Sequence, residues 1–515
     1  MDEKQSRASE AATSSPGSSL DRCLELLRPG TSDESKFIGL SLMSELLQIA
    51  QDTATMTRFF ESMDFGFLDR MMQIDENTVP KDAGVDATTI RSIAIDIMAC
   101  FATHWELLVR NEFKERVPTM LSLLSPGDET DDSAKILKIM IRISAYPQIS
   151  MILTNPEYQS MILDYLLGSF EEKVLTMAPA IPSAIVGEAH NHAIMVCTRT
   201  FLIIQEGFKQ NSKAVLQITG GFLPMVMNKI SRPFSTLTEA HKPEILRLLT
   251  DSIAYLPAAY VQQHIKAHMV ETRSWIKALK SGLIQLLSTR QAPKTRDDCF
   301  KLIGILLQRL GPEWLFPETS SDNLHQTVPA PKKKQSPGSL VSSMESLSLS
   351  ESEINKKFAG LVVHLTCVEV RMLMDELAND LSSTAKPAAA TLSEEDASQA
   401  KVRREEVLPL AYEILEVSIG YLVHVSESEE SMDCGLFDAT GLLKIQESLQ
   451  ATFTAILDYL RDLQSSKDAA PKTLASNMIY LASLRILSVW LMEDDSLHGQ
   501  AASIVPTLEA VFEYW

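Results

Sequence analysis

The sequence predicts an all-α fold, an armadillo/HEAT-like α-solenoid wound as a right-handed superhelix, and three observations predict it. Apolar residues recur at i, i+3, i+4 and i+7 through nearly every stretch not rich in Ser or Pro, as in Phe37 and Leu40, with the small Ser41 and Ser44 on the same face, flanked by Ile38, Leu42, Leu46 and Leu47. Helix starts are punctuated regularly, by Ser32-Asp33-Glu34, Asn155-Pro156-Glu157 and the Gly220-Gly221 turn. A weak repeat also runs through the chain, marked by Gly66-Phe67-Leu68, Val117-Pro118, Ser160-Met161 and Leu223-Pro224, with echoes at Leu408-Pro409 and Val505-Pro506. The steps from 68 to 117 and from 117 to 161 fall near the roughly 40–47-residue period of helical-pair repeats, and the longer step to 223 carries a Pro/Ala-rich insertion at 177–187.

Each element follows from these signals in order. A chain of 515 residues exceeds what one core can serve, and helix pairs cannot bury both apolar faces alone, so they stack on neighbours. Residues 1–18 are polar and predict a disordered tail. Helical repeats follow over 19–317, then a disordered loop over 318–352 with Lys332-Lys333-Lys334, Ser336-Pro337 and a serine-rich run. Further repeats span 353–515, interrupted by a flexible loop at 382–399 and a short acidic link at Ser426–Asp433. The pattern sums to roughly 18–20 helices.

Composition narrows the function classes. Forty-seven Lys and Arg against 67 Asp and Glu give a net charge of −20, which repels phosphate backbones and argues against nucleic acid as a partner. Six cysteines stand singly in apolar helical contexts, without a CxxC pair, and read as reduced core residues. The N-terminus has no apolar signal region. The strongest apolar run, Val174–Gly187, is broken by Pro179 and Pro182, so no transmembrane segment is expected. A cytoplasmic location follows, with peripheral membrane association left open. No GxSxG, glycine-rich phosphate loop or cysteine in a triad context occurs, and Ser383-Thr384-Ala385-Lys386 matches S-x-x-K by letter only. No enzyme and no cofactor are expected.

A few residues stand out. Phe358–Glu376 is apolar on nearly every side yet carries Glu369 and Arg371, and Leu481–Leu491 carries Arg485 in the same way. Buried charges need partners. The spacing predicts that Glu369 meets Arg485 across adjacent helices and that Arg371 pairs with Asp375 at i+4, as structural bridges. His264 and His268 lie one turn apart, but Ile265 replaces the zincin glutamate and no third ligand is evident, so a solvent-facing pair is expected and no metal site. Glu188–His192 resembles a His-Asn-His motif in letters only, since it reads as helix. In the long loop, Leu340, Val341, Met344 and Leu347 fall at i, i+1, i+4 and i+7, which suits an amphipathic segment able to dock in a groove. Ser336 and Ser350 flank it as candidate phosphorylation sites.

Several segments are similar to the neurochondrin family: FIGLSLMSELL at Phe37–Leu47, FFESMDFGFLDRMM at Phe59–Met72, AIDIMACF at Ala94–Phe101, KLIGILLQRLGPEWLF at Lys301–Phe316, CVEVR at Cys367–Arg371 and ASLRILSVWLMEDD at Ala482–Asp495. They occur in consistent order, and the animal members look longer beyond the C-terminus than this chain. The resemblance implies a non-enzymatic, armadillo-like cytoplasmic scaffold that modulates signalling through kinases, receptors or small GTPases. Binding would fall chiefly on the first helix of each repeat. Its rival is a trafficking adaptor or small-GTPase regulator.

Overall fold

Capping side chains fix where the periodic stripes become helices. Asp52 accepts from the Thr55 amide at 2.8 Å, Asp86 from Thr89 at 2.9 Å and Asn477 from Tyr480 at 3.1 Å, each satisfying a backbone donor that the first turn leaves orphaned. The expected caps at Ser32 and Asn155 also form, to Ser35 and Glu157 at 3.3 and 2.9 Å.

The computed structural model describes residues 16–28, 30–49, 52–75, 85–126, 130–175, 187–237, 241–317, 350–383, 394–427, 436–466 and 470–513. Among the described residues there are 24 α-helices and no strand. The surplus over the 18–20 expected comes from single turns such as Trp105–Leu108, Asn111–Lys114, Pro147–Ser150 and His498–Ala501, too short to show a period. Two compact units divide the chain: Met1–Ile230 with Tyr255–Tyr260, and Ser231–Ala254 with Val261–Trp515.

In the first unit, alternate helices form two rows. Asp33–Ile49, Ala87–Phe101, Asp131–Ser144 and Glu188–Ile218 pack each on the next, while Phe65–Met72, Val117–Ser122 and Pro156–Leu175 form a second row against them. Phe60 meets Phe65 and Phe101 edge-on at 4.8 and 5.1 Å, sealing the start of the stack. The second unit repeats the scheme: Met269–Ser288, Glu351–Ser383 and Ala439–Gln464 make one row, and Pro293–Leu310, Glu394–Glu427 and Met478–Glu493 the other. Nearest-neighbour stacking of alternate helices in two layers is the α-solenoid arrangement.

Two glycines serve this packing. Gly304 lies where a Cβ would stand 2.6 Å from the Leu410 side chain, so its absence lets Pro293–Leu310 and Glu394–Glu427 approach closely. Gly311 ends the first of these helices at φ +90°, a conformation L side chains resist.

Several boundaries differ from the sequence pattern. Helix Pro16–Leu26 begins inside the expected tail, Glu351–Ser383 runs through 382–383, and Glu394–Glu427 already starts within the expected 382–399 loop. Pro118 and Pro506 stand in first helical turns as expected, but Pro409 sits in the interior of Glu394–Glu427 rather than at a helix start. That helix window is long and apolar enough to cross a bilayer by length and composition. In the fold, however, Val407, Leu408, Ala411, Ile414, Leu415 and Ile419 are buried, the pattern of a core helix.

A buried ion lock and a candidate binding groove

The Glu394–Glu427 helix carries two features of opposite character at its two ends. Near its N-terminus, Arg403 reaches Asp297 with a two-pronged grip at 2.8 and 2.9 Å and also bonds Glu369, which Arg296 contacts at 3.1 Å. Glu369 is 1% exposed and Asp297 is buried. Two carboxylates and two guanidiniums thus join Pro293–Leu310, Glu351–Ser383 and Glu394–Glu427. Burial works against the charge on Arg403, but the Asp297 and Glu369 carboxylates outweigh it and hold its pKa above the ordinary value. The charges of such a cluster face one another, which fixes register between helices.

The partners expected from sequence are not those observed. Arg485 is not buried, its side chain being 65% exposed, and it grips Glu416 at 2.7 Å instead of Glu369. The reason is helical phase: position 485 points out of the row although its neighbours in sequence are apolar. Arg371 is half-buried and donates to the Cys367 carbonyl at 3.2 Å rather than pairing with Asp375. Arg403 and Arg296, the true partners of Glu369, escaped sequence reasoning because they lie in ordinary charged segments, Arg403-Arg404 and Lys294–Asp298.

A second buried charge in this unit is solved differently. Lys280 is 2% exposed, bonds the Asn355 side chain at 2.8 Å, and stands 5.7 and 5.6 Å from the Trp314 and Phe358 ring centres. Burial brings its pKa down to about 8, with Glu351 pulling the other way. His264 is also buried, not solvent-facing as expected. Its ring stacks on that of His268 at 6.2 Å, and burial, aided by His268, lowers its pKa to about 4. Among the described residues no group of three or more His, Cys, Asp or Glu could hold a metal ion. Of the cysteines, Cys23, Cys197, Cys299 and Cys367 are buried and unbridged, and burial pushes the Cys197 thiol up to about 12.

At the C-terminal end of Glu394–Glu427 lies the open feature, a cavity of about 650 Å³. Its walls are Ile419, Leu422 and Val423 from that helix, Leu442 and Leu443 from the start of Ala439–Gln464, and Trp490 from the end of Met478–Glu493. Trp490 stacks on Phe453 at 4.9 Å, which holds the indole as a rigid floor. Leu443 is 55% exposed, a large apolar side chain facing water. Glu493 and Asp494 make an acidic lip. Burial pushes the Asp494 carboxyl up, but bonds from Ser496 and Gln446 and the nearby His498 outweigh it and hold its pKa below the ordinary value. An apolar trough with a charged lip suits an amphipathic peptide better than a small polar substrate. The docking residues named from sequence, Leu340, Val341, Met344 and Leu347, lie outside the described residues.

Alternate helices stacked in two rows within each unit define a helical-repeat fold. The neurochondrin family model matches residues 14–508, and the chain belongs to that family. It is 23% identical to neurochondrin of Gallus gallus, covering 96% of this chain and 57% of the relative. To the Homo sapiens neurochondrin it is 21% identical, covering 95% and 53%, and to the neurochondrin homolog of Drosophila melanogaster 20%, covering 92% and 53%. The chain thus spans about half the length of these relatives. Among solved structures, Kap121p bound to Pho4p is similar over 91% of this chain and 61% of that one at 10% identity, but the TM-score of 0.18 carries no argument.

Proposed function

We propose that this chain is a non-enzymatic scaffold that binds protein partners, with the groove between Ile419 and Asp494 as a recognition surface for an amphipathic segment carrying basic flanks. The observation that carries this reading is the groove itself: an apolar trough with an exposed Leu443 and an acidic lip, placed where two helices end and a third begins. Apolar side chains of the partner would desolvate the trough, and Lys or Arg beside them would meet Glu493 and Asp494. The proposal extends to kinases, receptors or small GTPases as the sources of such segments, a cytoplasmic setting and a role in modulating signalling.

A peptide library displayed against the purified chain tests the reading. The expected selection is for apolar residues at helical spacing flanked by Lys or Arg, with affinity lost at least tenfold on Leu443→Glu. Selection of no consensus, or of peptides that bind the Leu443→Glu chain equally well, would sink it.

A further inference from the structure

One strip of the first unit is cationic in a chain whose net charge is −20. Lys138 and Arg142 on Asp131–Ser144, and Arg199 on Glu188–Ile218, have no carboxylate partner among the described residues. Lys135, one turn before Lys138, is by contrast neutralised by Asp96 and Asp131 at 2.5 and 2.7 Å. The other carboxylates of this row lie at helix starts: Asp131 and Asp132 open one helix and Glu188 the next.

Arg142 and Arg199 each serve packing with a single nitrogen. Arg142 Nη1 donates to the Ala99 carbonyl at 3.0 Å, in the last turn of Ala87–Phe101. Arg199 Nη1 donates to the Ile141 carbonyl and the Ser144 hydroxyl at 3.1 and 3.2 Å, in the last turn of Asp131–Ser144. Both bonds reach the carbonyls that a helix end leaves orphaned, and they carry the guanidinium groups from helix to helix along the row. Nη2 and Nε of both arginines make no bond among the described residues, and Lys138 is exposed.

Apolar surface accompanies these cations. Between Ala87–Phe101 and Asp131–Ser144 lies a cavity of about 210 Å³, with Ala99, Cys100 and Ile139 in its lining and Lys138 and Arg142 beside them. On Glu188–Ile218, Met195 and Leu202 stand one turn to either side of Arg199 and are 43% and 36% exposed. Neighbouring packed helices are about 8–10 Å apart. In an extended polyproline-type segment, side chains three residues apart recur on one side at about 9 Å.

We propose that this strip docks an acidic peptide that crosses the row in extended form. Asp or Glu at every third position meets Lys138 with Arg142 and then Arg199, while apolar side chains beside them enter the cavity and cover Met195 and Leu202. Charge complementarity selects this occupant, because guanidinium nitrogens left open grip carboxylates and a basic segment would be repelled. The surface does not depend on the acidic-lipped groove, which belongs to the second unit and suits a segment of opposite charge.

The test selects a random peptide library of about twelve residues on the full chain carrying Leu443→Glu, which disables the groove. The expected consensus has Asp or Glu three residues apart with Leu, Ile or Met beside them. Affinity of a selected peptide should fall about fivefold in Lys138→Glu and at least about tenfold in Lys138→Glu, Arg142→Gln. It should also fall at least about threefold between 50 and 200 mM salt. Circular dichroism checks that each variant keeps its helices, and Lys138→Glu alters an exposed side chain, so it reports on binding whether or not the double variant folds. No acidic consensus, an acidic peptide that binds Lys138→Glu equally well, or its displacement by single-stranded DNA of equal charge at equal concentration overturns the inference. Failure of the groove would instead show on the unaltered chain as the lack of any Leu443-sensitive peptide, and would leave this result standing.

Discussion

The two ends of one helix, Glu394–Glu427, contrast a charge lock with an open apolar trough, the proposed docking surface. At the Arg403 end, charges inside an apolar layer pair with other charges of the chain, Arg403 with Asp297 and Glu369, and Arg296 with Glu369. At the Ile419–Val423 end, buried Ile419 and Trp490 give way to a trough with an acidic lip and the exposed Leu443. Unusual chemistry in a sequence thus marks internal architecture here, whereas the proposed recognition surface is made largely of ordinary apolar side chains. Burial decides which is which.

Glu369→Ala probes this contrast with the largest expected effect. Removing one member of a buried ion cluster leaves guanidinium charge uncompensated and should cost about 3–5 kcal/mol in chemical denaturation, while peptide binding per folded molecule stays unchanged. A binding defect in the folded fraction would break the division of labour between the two ends.

Acid offers the next largest effect. The His264 pKa, lowered to about 4 from an ordinary 6.5, means that the unfolded chain takes up a proton the folded ring refuses. Both forms are neutral above pH 6.5, so this contribution is intact there and is lost as pH falls from 6.5 toward 4. Discounted for partial solvent screening, the loss is about 1–2 kcal/mol. Melting curves at pH 7 and 5 should show it equally in the Glu369→Ala and Leu443→Glu chains and much reduced in His264→Leu. If Glu369→Ala abolishes it instead, the lock and not His264 is the acid-sensitive element.

Leu443→Glu sharpens the groove side. Because Leu443 is mostly exposed, stability should move by no more than about 0.5 kcal/mol, while peptide affinity falls tenfold or more, about 1.4 kcal/mol. A large drop in melting temperature would mean the groove is part of the core rather than a surface. The smallest effect belongs to Arg485→Ala, an exposed pair with Glu416, which should cost at most about 1 kcal/mol and weaken further with salt. A cost near that of Glu369→Ala would restore Arg485 to the interior role the sequence suggested.

How much was legible depended on range. Helix stripes, caps at Ser32 and Asn155, and first-turn prolines at Pro118 and Pro506 are local, and each reports on its own backbone. The single-turn helices at Trp105–Leu108 and His498–Ala501 were illegible because four residues contain no full period. Glu369 could be recognised as needing a counter-charge, but the choice among arginines could not be made from spacing along the chain.

By itself the sequence determined the helical class and the family, because periodicity and segment resemblance are properties of the chain read in order. The tertiary structure alone decided that Glu369 closes on Arg403 and Arg296, that Arg485 faces water, that His264 is buried, and that Leu443 stands over an open trough. Those outcomes depend on the phase and stacking of helices far apart in sequence. A helix pattern states which residues share a face, and only packing states what that face meets.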